Sequence, residues 1–211
     1  MFPEFRRREL DLYKEEASLI LYRSRAIRFG DFVLSSGGRS PYYVDLRILP
    51  AYPEAFDRIS DFYVSLLRSC SGADRIVGVP TAGISIATMV SQKTNIPMAY
   101  VRNEERAHGL GRMIEGEMEK GNDVVLVDDL VTTGRSVIKT SSILRKRGAV
   151  VCDLICLIDR EQGGKENLEG EGIKVHSLLT VRELFKILNK MALIGERVYS
   201  EVLDYIKAQI N

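Results

Sequence analysis

The stretch Val124-Val125-Leu126-Val127-Asp128-Asp129-Leu130-Val131-Thr132-Thr133-Gly134-Arg135-Ser136 constrains this chain more than any other. Four apolar residues in a row, bounded by charge on both sides, read as a short strand buried on both faces, the kind found in parallel sheets. Two adjacent carboxylates end that strand, and a small hydroxyl-bearing turn follows. The next residues, Val137 to Arg147, are compatible with a helix. A strand therefore empties into a hydroxyl loop at a helix start, where backbone N–H groups and the helix dipole favour an anion. The paired acids repel phosphate but suit sugar hydroxyls or a hard divalent cation. One Asp could serve merely to cap the turn; Asp-Asp followed by Thr-Thr-Gly-Arg-Ser is better explained as a site for a sugar phosphate.

The rest of the chain supplies a frame for that stretch. Ile76–Val79 leads into Pro80-Thr81-Ala82-Gly83, a small-residue helix to Lys93 and a strand over Pro97–Val101. Val150–Ile158 is another unbroken apolar strand ending in Asp159-Arg160, and a shorter one spans Ile173–Leu178. Helices are expected over 181–191 and 196–210. Alternating strands and helices with continuous apolar strands predict an α/β fold, a doubly wound and mostly parallel sheet flanked by helices. Ahead of it lie an amphipathic helix over Glu4–Arg28, a hairpin over Phe29–Asp45 turning at Ser36-Gly37-Gly38, and a second helix over Glu54–Cys70. The expectation is one domain, 1–211, with residues 1–50 contributing a small helix and hairpin cap. Ligands of such sheets bind at the carboxyl ends of strands. Asp128, Asp129, the Pro80–Gly83 loop, Arg102 and Asp159-Arg160 are all expected there. Arg102 to Gly121 is polar and bears glycines at 109, 111, 116 and 121, a pattern that suits a flap over an anionic substrate.

Composition narrows the alternatives. Thirty Lys and Arg against 29 acids leave no excess charge to argue for nucleic acid or a membrane surface. Residues 1–8 lack the apolar core of a signal peptide, and no apolar run approaches a membrane span, so a cytoplasmic location is expected. With two histidines in the chain and two of its three cysteines inside one strand, no zinc site is expected, and the cysteines read as buried thiols.

The stretch Val124–Ser136 resembles the signature by which type I phosphoribosyltransferases bind phosphoribosyl pyrophosphate. Three further blocks are similar to the orotate phosphoribosyltransferases and lie in that family's order. They are Phe29-Gly30-x-Phe32-x-Leu34-x-Ser36-Gly37-x-x-Ser40-Pro41-x-Tyr43-x-Asp45, the Arg102…His108-Gly109…Ile114-Glu115-Gly116 stretch, and Asp159-Arg160-x-x-Gly163-Gly164. The resemblance implies transfer of phosphoribose to N1 of orotate, giving orotidine 5′-monophosphate and pyrophosphate. It also implies Mg2+, carried mainly by the substrate with Asp128 and Asp129 as the protein groups in reach, and a homodimer whose flaps serve the neighbouring site.

By this resemblance Thr132, Thr133, Gly134, Arg135 and Ser136 wrap the 5′-phosphate, while Asp128 and Asp129 hold the ribose hydroxyls. The Pro80–Ile84 loop faces pyrophosphate. Arg102, Asn103, Arg106 and His108 belong to the flap and grip pyrophosphate. Arg160 offers a two-donor fork to the orotate carboxylate; Thr132 meets the pyrimidine edge and Tyr43 packs on the ring. The chain departs from the family at three cations: Asn103, Arg106 and Ser35 stand where Lys is usual. Arginine keeps the charge of a clamp but does not readily give up a proton, so Arg106 is expected to act electrostatically. Two other functions fit parts of the pattern: a regulator that senses phosphoribosyl pyrophosphate without turnover, and a purine phosphoribosyltransferase.

Overall fold

A computed structural model of the chain describes residues 3–33, 37–102 and 113–210. The chain divides into two compact units, residues 60–177 and residues 1–59 with 178–211.

Unit 60–177 carries the sheet. Its strands are β3 (Arg75–Gly78), β4 (Met98–Val101), β5 (Ile114–Glu115), β6 (Asp123–Val127), β7 (Leu130–Val131) and β8 (Val150–Asp159), with β9 (Lys174–Thr180) also pairing with β8. β3 runs parallel to both β4 and β6, and β6 and β7 run parallel to β8, while the short β5 lies antiparallel on the outer edge of β4. The mostly parallel doubly wound sheet expected from the alternation is therefore present. Val124 to Val127 and Leu154 to Ile158 are fully buried, which accounts for their lack of apolar/polar alternation.

Helices α3 (Ala82–Thr94) and α4 (Arg135–Lys146) each bury one stripe. In α3 it is Gly83, Ile86, Ala87 and Val90; in α4 it is Val137, Thr140, Ser141 and Leu144. Both follow the i, i+3, i+4, i+7 spacing that puts side chains on one helix face. A short helix, α5 (Gly164–Gly170), follows β8 and was not expected from the sequence.

The other unit begins with α1 (Pro3–Arg23) and the hairpin of β1 (Ile27–Val33) and β2 (Arg39–Val44). α1 stops short of the expected Arg28. Arg25 turns into the left-handed region at φ 57°, and the Ala26 and Arg25 N–H groups close back on the Leu21 and Tyr22 carbonyls, a Schellman-type ending. A 3-10 turn (Leu46–Ala51) leads to α2 (Pro53–Leu67), whose second half belongs to the sheet unit. The chain closes with α6 (Val181–Lys190) and α7 (Glu196–Ile210). Thr180 and Glu183 start α6 as a reciprocal capping box, and Val181, Leu184, Phe185 and Leu188 form its buried face. The Tyr42 ring meets Phe185 and Tyr205 edge-on at 4.7 and 5.8 Å, so the hairpin packs on the C-terminal helices.

The three thiols differ from the buried set expected. Cys156 is buried, Cys70 half-buried and Cys152 exposed. Cys152 is the extra residue of a bulge where β8 passes from Val151 opposite Val124 to Asp153 opposite Val125, and a bulge frees its residue from the sheet's alternation.

Candidate active site

The acid pair sits at a break within a strand rather than at its end. β7 adds no new outer strand, because Leu130↔Ile158 continues along β8 the register set by Val127↔Ile155. The ladder itself persists across the break: Asp128 N–H donates to Ile155 O at 3.1 Å and Leu157 N–H to Asp129 O at 3.0 Å. What changes is the side-chain bonding. Asp128 Oδ1 accepts the Asp129 N–H at 2.9 Å, and Asp129 Oδ1 accepts the Leu130 N–H at 2.8 Å. Each carboxylate is thereby held against its own backbone.

Tyr63 of α2 fixes the same point from below. Its buried hydroxyl donates to Asp128 O at 2.9 Å, with Asp129 O at 3.4 Å. Asp128 is 8% exposed, and burial, with the Asp129 carboxylate next to it, pushes its carboxyl well above the usual range. Two acids in so little water are costly unless a cation or hydroxyl donors meet them.

The loop after β7 is set by close packing. Gly134 adopts φ 79° and precedes α4, and no side chain caps that helix. The first-turn amides of α4 thus face outward with Thr132 and Thr133 beside them, both partly exposed, and Arg135 and Ser136 exposed. Gly164 of α5 lies so near the loop that a Cβ there would stand 2.3 Å from Thr132 O and 2.4 Å from Val131 Cγ1. Asn167 Nδ2 donates to Thr133 O at 3.1 Å. The Asp159-Arg160-x-x-Gly163-Gly164 block is thus partly a buttress for the Thr132–Ser136 loop, a role not read from the sequence.

Arg160 follows the end of β8. Its N–H donates to Val131 O at 2.8 Å, and Asp159 Oδ1 accepts the Glu161 N–H at 2.8 Å, closing a tight turn that presents Arg160. Burial raises the Asp159 carboxyl.

On the other side of β6, the Pro80–Gly83 loop joins β3 to α3 through a cis Pro80–Thr81 peptide. Arg102 follows β4. Its Nη1 meets Glu115 Oε1 at 3.1 Å and its N–H donates to Met113 O at 2.8 Å, so Arg102 is tied to the start of the β5 strand. A cavity of about 170 Å³ gathers Pro80, Val101, Arg102, Ser136, Lys139, Thr140 and Ile143. It lies between the residues at the ends of β3 and β4 and one face of α4. Lys139 was not anticipated, although it stands three residues beyond Ser136 and hence on the same helix face.

Wider depressions of about 710 and 540 Å³ occur in the other unit, on the hairpin and at the end of α1. We place the site on the sheet unit, where the perturbed acids Asp128 and Asp159 stand at the ends of β6 and β8 and the smaller cavity adds the cations Arg102 and Lys139 beside the start of α4.

Tyr43 belongs to that other unit. Arg28 stands over its ring at 5.5 Å, Phe32 lies 5.7 Å away, and Arg47 Nη2 donates to its hydroxyl at 3.1 Å. Asn103, Arg106, His108 and Ser35 lie outside the described residues.

Residues 50–174 match the family model of the phosphoribosyl transferase domain. The orotate phosphoribosyltransferase of Pyrococcus horikoshii is 41% identical over 174 residues, 82% of this chain and 94% of that protein. The chain belongs to the orotate phosphoribosyltransferase family. Structural comparison agrees with this. The crystal structure of orotate phosphoribosyltransferase from Aeropyrum pernix superposes with a TM-score of 0.70 at 35% identity, over 84% of this chain and 99% of that one. UMP synthase of Leishmania donovani superposes with a TM-score of 0.84 at 34% identity, over 92% of this chain and 42% of that longer one.

Proposed function

We propose that the chain transfers the phosphoribosyl group of phosphoribosyl pyrophosphate to N1 of orotate, releasing pyrophosphate and forming orotidine 5′-monophosphate for pyrimidine synthesis. The observation that carries this reading is the acid pair at the β6–β7 break leading directly into the open start of α4. An anion sits at amides and hydroxyls, and sugar hydroxyls or a cation sit at carboxylates, a few residues apart.

In this reading Thr132 to Ser136 hold the 5′-phosphate, and Asp128 and Asp129 hold the ribose hydroxyls. Their negative charge also favours the positive charge that builds at the anomeric carbon as pyrophosphate departs. Arg160 takes the orotate carboxylate, and Tyr43 packs on the ring. Arg102, with Asn103, Arg106 and His108 from the flap, receives the charge on pyrophosphate. Asp128 and Asp129 offer hard oxygen donors, which fit Mg2+, a cation held by one or two carboxylates together with substrate phosphates. Bound, it neutralises charge on the leaving group. The working form is a homodimer in which flap residues complete the partner's site, and residues 1–50 act as a hood.

The test is to mix the protein with phosphoribosyl pyrophosphate, Mg2+ and orotate and follow orotate absorbance, which is expected to fall. No loss at any protein concentration overturns the reading. Binding of phosphoribosyl pyrophosphate without turnover would identify a sensor, and consumption of a purine instead would identify a purine enzyme.

A further inference from the structure

Outside the substrate site, three donor side chains come together from separate segments of the sheet unit. Cys70 follows α2, Asp153 lies in the first half of β8 and His176 is the third residue of β9. A sulfur, a carboxylate oxygen and a ring nitrogen there lie within 4.8 Å of one another, the one such group among the described residues. His176 Nε2 and Asp153 Oδ1 are 2.6 Å apart, with side chains only 8% and 6% exposed. Asp153 Oδ2 accepts the Ser71 hydroxyl at 2.8 Å and the Ser71 N–H at 3.3 Å.

A His–Asp–Ser latch between strands would account for three of these groups but not for the thiol. Cys70 Sγ has only a long contact, 4.0 Å, to Leu66 O, and a neutral thiol gains little from a neighbouring carboxylate. A divalent cation changes this balance. Thiolate and carboxylate together carry the charge that such a cation needs, and imidazole adds a neutral donor. Sulfur and nitrogen donors also select a softer metal than Mg2+. Zinc bonds of about 2.0–2.3 Å place tetrahedral donors roughly 3.3–3.8 Å apart, so the His176–Asp153 pair must open from 2.6 Å by about 0.7 Å as the cation replaces the shared proton, and the widest donor pair must close by about 1 Å.

We propose that Cys70, Asp153 and His176 form a site for a zinc-class divalent cation, with water completing its shell. The site pins the α2–β3 connection to β8 and β9. The expectation of no zinc site counted donors along the chain, whereas the fold gathers one donor from each of three distant segments.

The test uses the full chain, stripped of metal by a chelator, and Co2+ as a spectroscopic probe read independently of phosphoribosyl transfer. The protein and the Cys152→Ser control are expected to bind one equivalent and to show a thiolate-to-cobalt charge-transfer band, bleached by one equivalent of Zn2+. Cys70→Ser is expected to lose the band and to bind at least tenfold more weakly. If that variant does not fold, zinc-edge X-ray absorption of the Zn2+-loaded wild type gives the answer, with one sulfur expected among nitrogen and oxygen ligands. Absence of the band in the wild type, its survival in Cys70→Ser, its loss in Cys152→Ser, or an edge spectrum without sulfur each overturns the proposal.

Discussion

Replacing Gly83 by alanine should disturb the acid pair without touching it. Gly83 lies in the first turn of α3, and a Cβ there would stand 2.1 Å from Val127 O, 3.1 Å from Val127 C and 3.3 Å from Asp128 Cα. All three are backbone atoms of the strand end, so no flexible side chain can swing away. Bringing that oxygen to an ordinary contact requires helix and strand to part by about 1 Å. The same oxygen accepts the Val79 N–H at 2.9 Å, so the β3–β6 ladder is strained too. Overpacking of this kind costs about 1–3 kcal/mol, offset by roughly 0.5–1 kcal/mol that alanine gains over glycine in a helix. The expected net loss is about 1–2 kcal/mol, a fall in melting temperature of roughly 2–8 °C for a chain of this size. A displacement near 1 Å at a reacting centre can cost on the order of 100-fold in rate, so turnover should fall more than stability alone would explain. The control is Gly195→Ala, where an added Cβ meets nothing within 4 Å. Thermal unfolding and orotate consumption are measured on both. If Gly83→Ala melts and turns over like Gly195→Ala, the close approach of α3 to the strand end does not set the acid pair, and the reasoning fails.

Asp128→Asn should stabilise the fold while impairing transfer. Burial and the Asp129 carboxylate raise the Asp128 carboxyl in the folded state, so the folded chain holds that proton more tightly than the unfolded chain does. The group therefore costs nothing below the unfolded carboxylate value of about 3.9, and its cost grows as pH rises from there toward the raised folded value. The melting-temperature difference, variant minus wild type, is expected to be small near pH 4 and to grow toward neutrality; a difference that is flat or falls with pH would contradict this. In the flap, Arg106→Ala is expected to lower turnover far more than Arg106→Lys, because a clamp needs charge and not a particular proton. Equal losses in steady-state assays would count against the clamp.

The core strands were legible because nothing about them depends on distant partners. Val124–Val127 and Leu154–Ile158 are apolar without alternation, and only strands covered on both faces tolerate that composition. The helix faces of α4 and α6 follow from spacing alone. The donor stretch carried its chemistry in consecutive residues, so acids, hydroxyls and helix start could be placed together before any fold was known. Other features were hidden because their causes lie elsewhere in the chain. β7 and β5 are two residues each and exist only through pairing with β8 and β4. Tyr63 reads as one more core aromatic of α2 until its hydroxyl is seen to meet the Asp128 carbonyl. Gly164 reads as a turn residue until the Thr132 carbonyl is found above it.

By itself the sequence determined the parallel α/β architecture and which groups are proposed to meet the sugar phosphate, since both are written in local runs of residue type. The tertiary structure alone decided that Asp128 and Asp129 interrupt a strand that then resumes. It also decided that helix contacts at Gly83 and Gly164 set the two loops, and that Cys70, Asp153 and His176 share one small volume. Those outcomes depend on which backbone atoms come within a few ångströms of each other, and that is settled by packing between segments far apart along the chain.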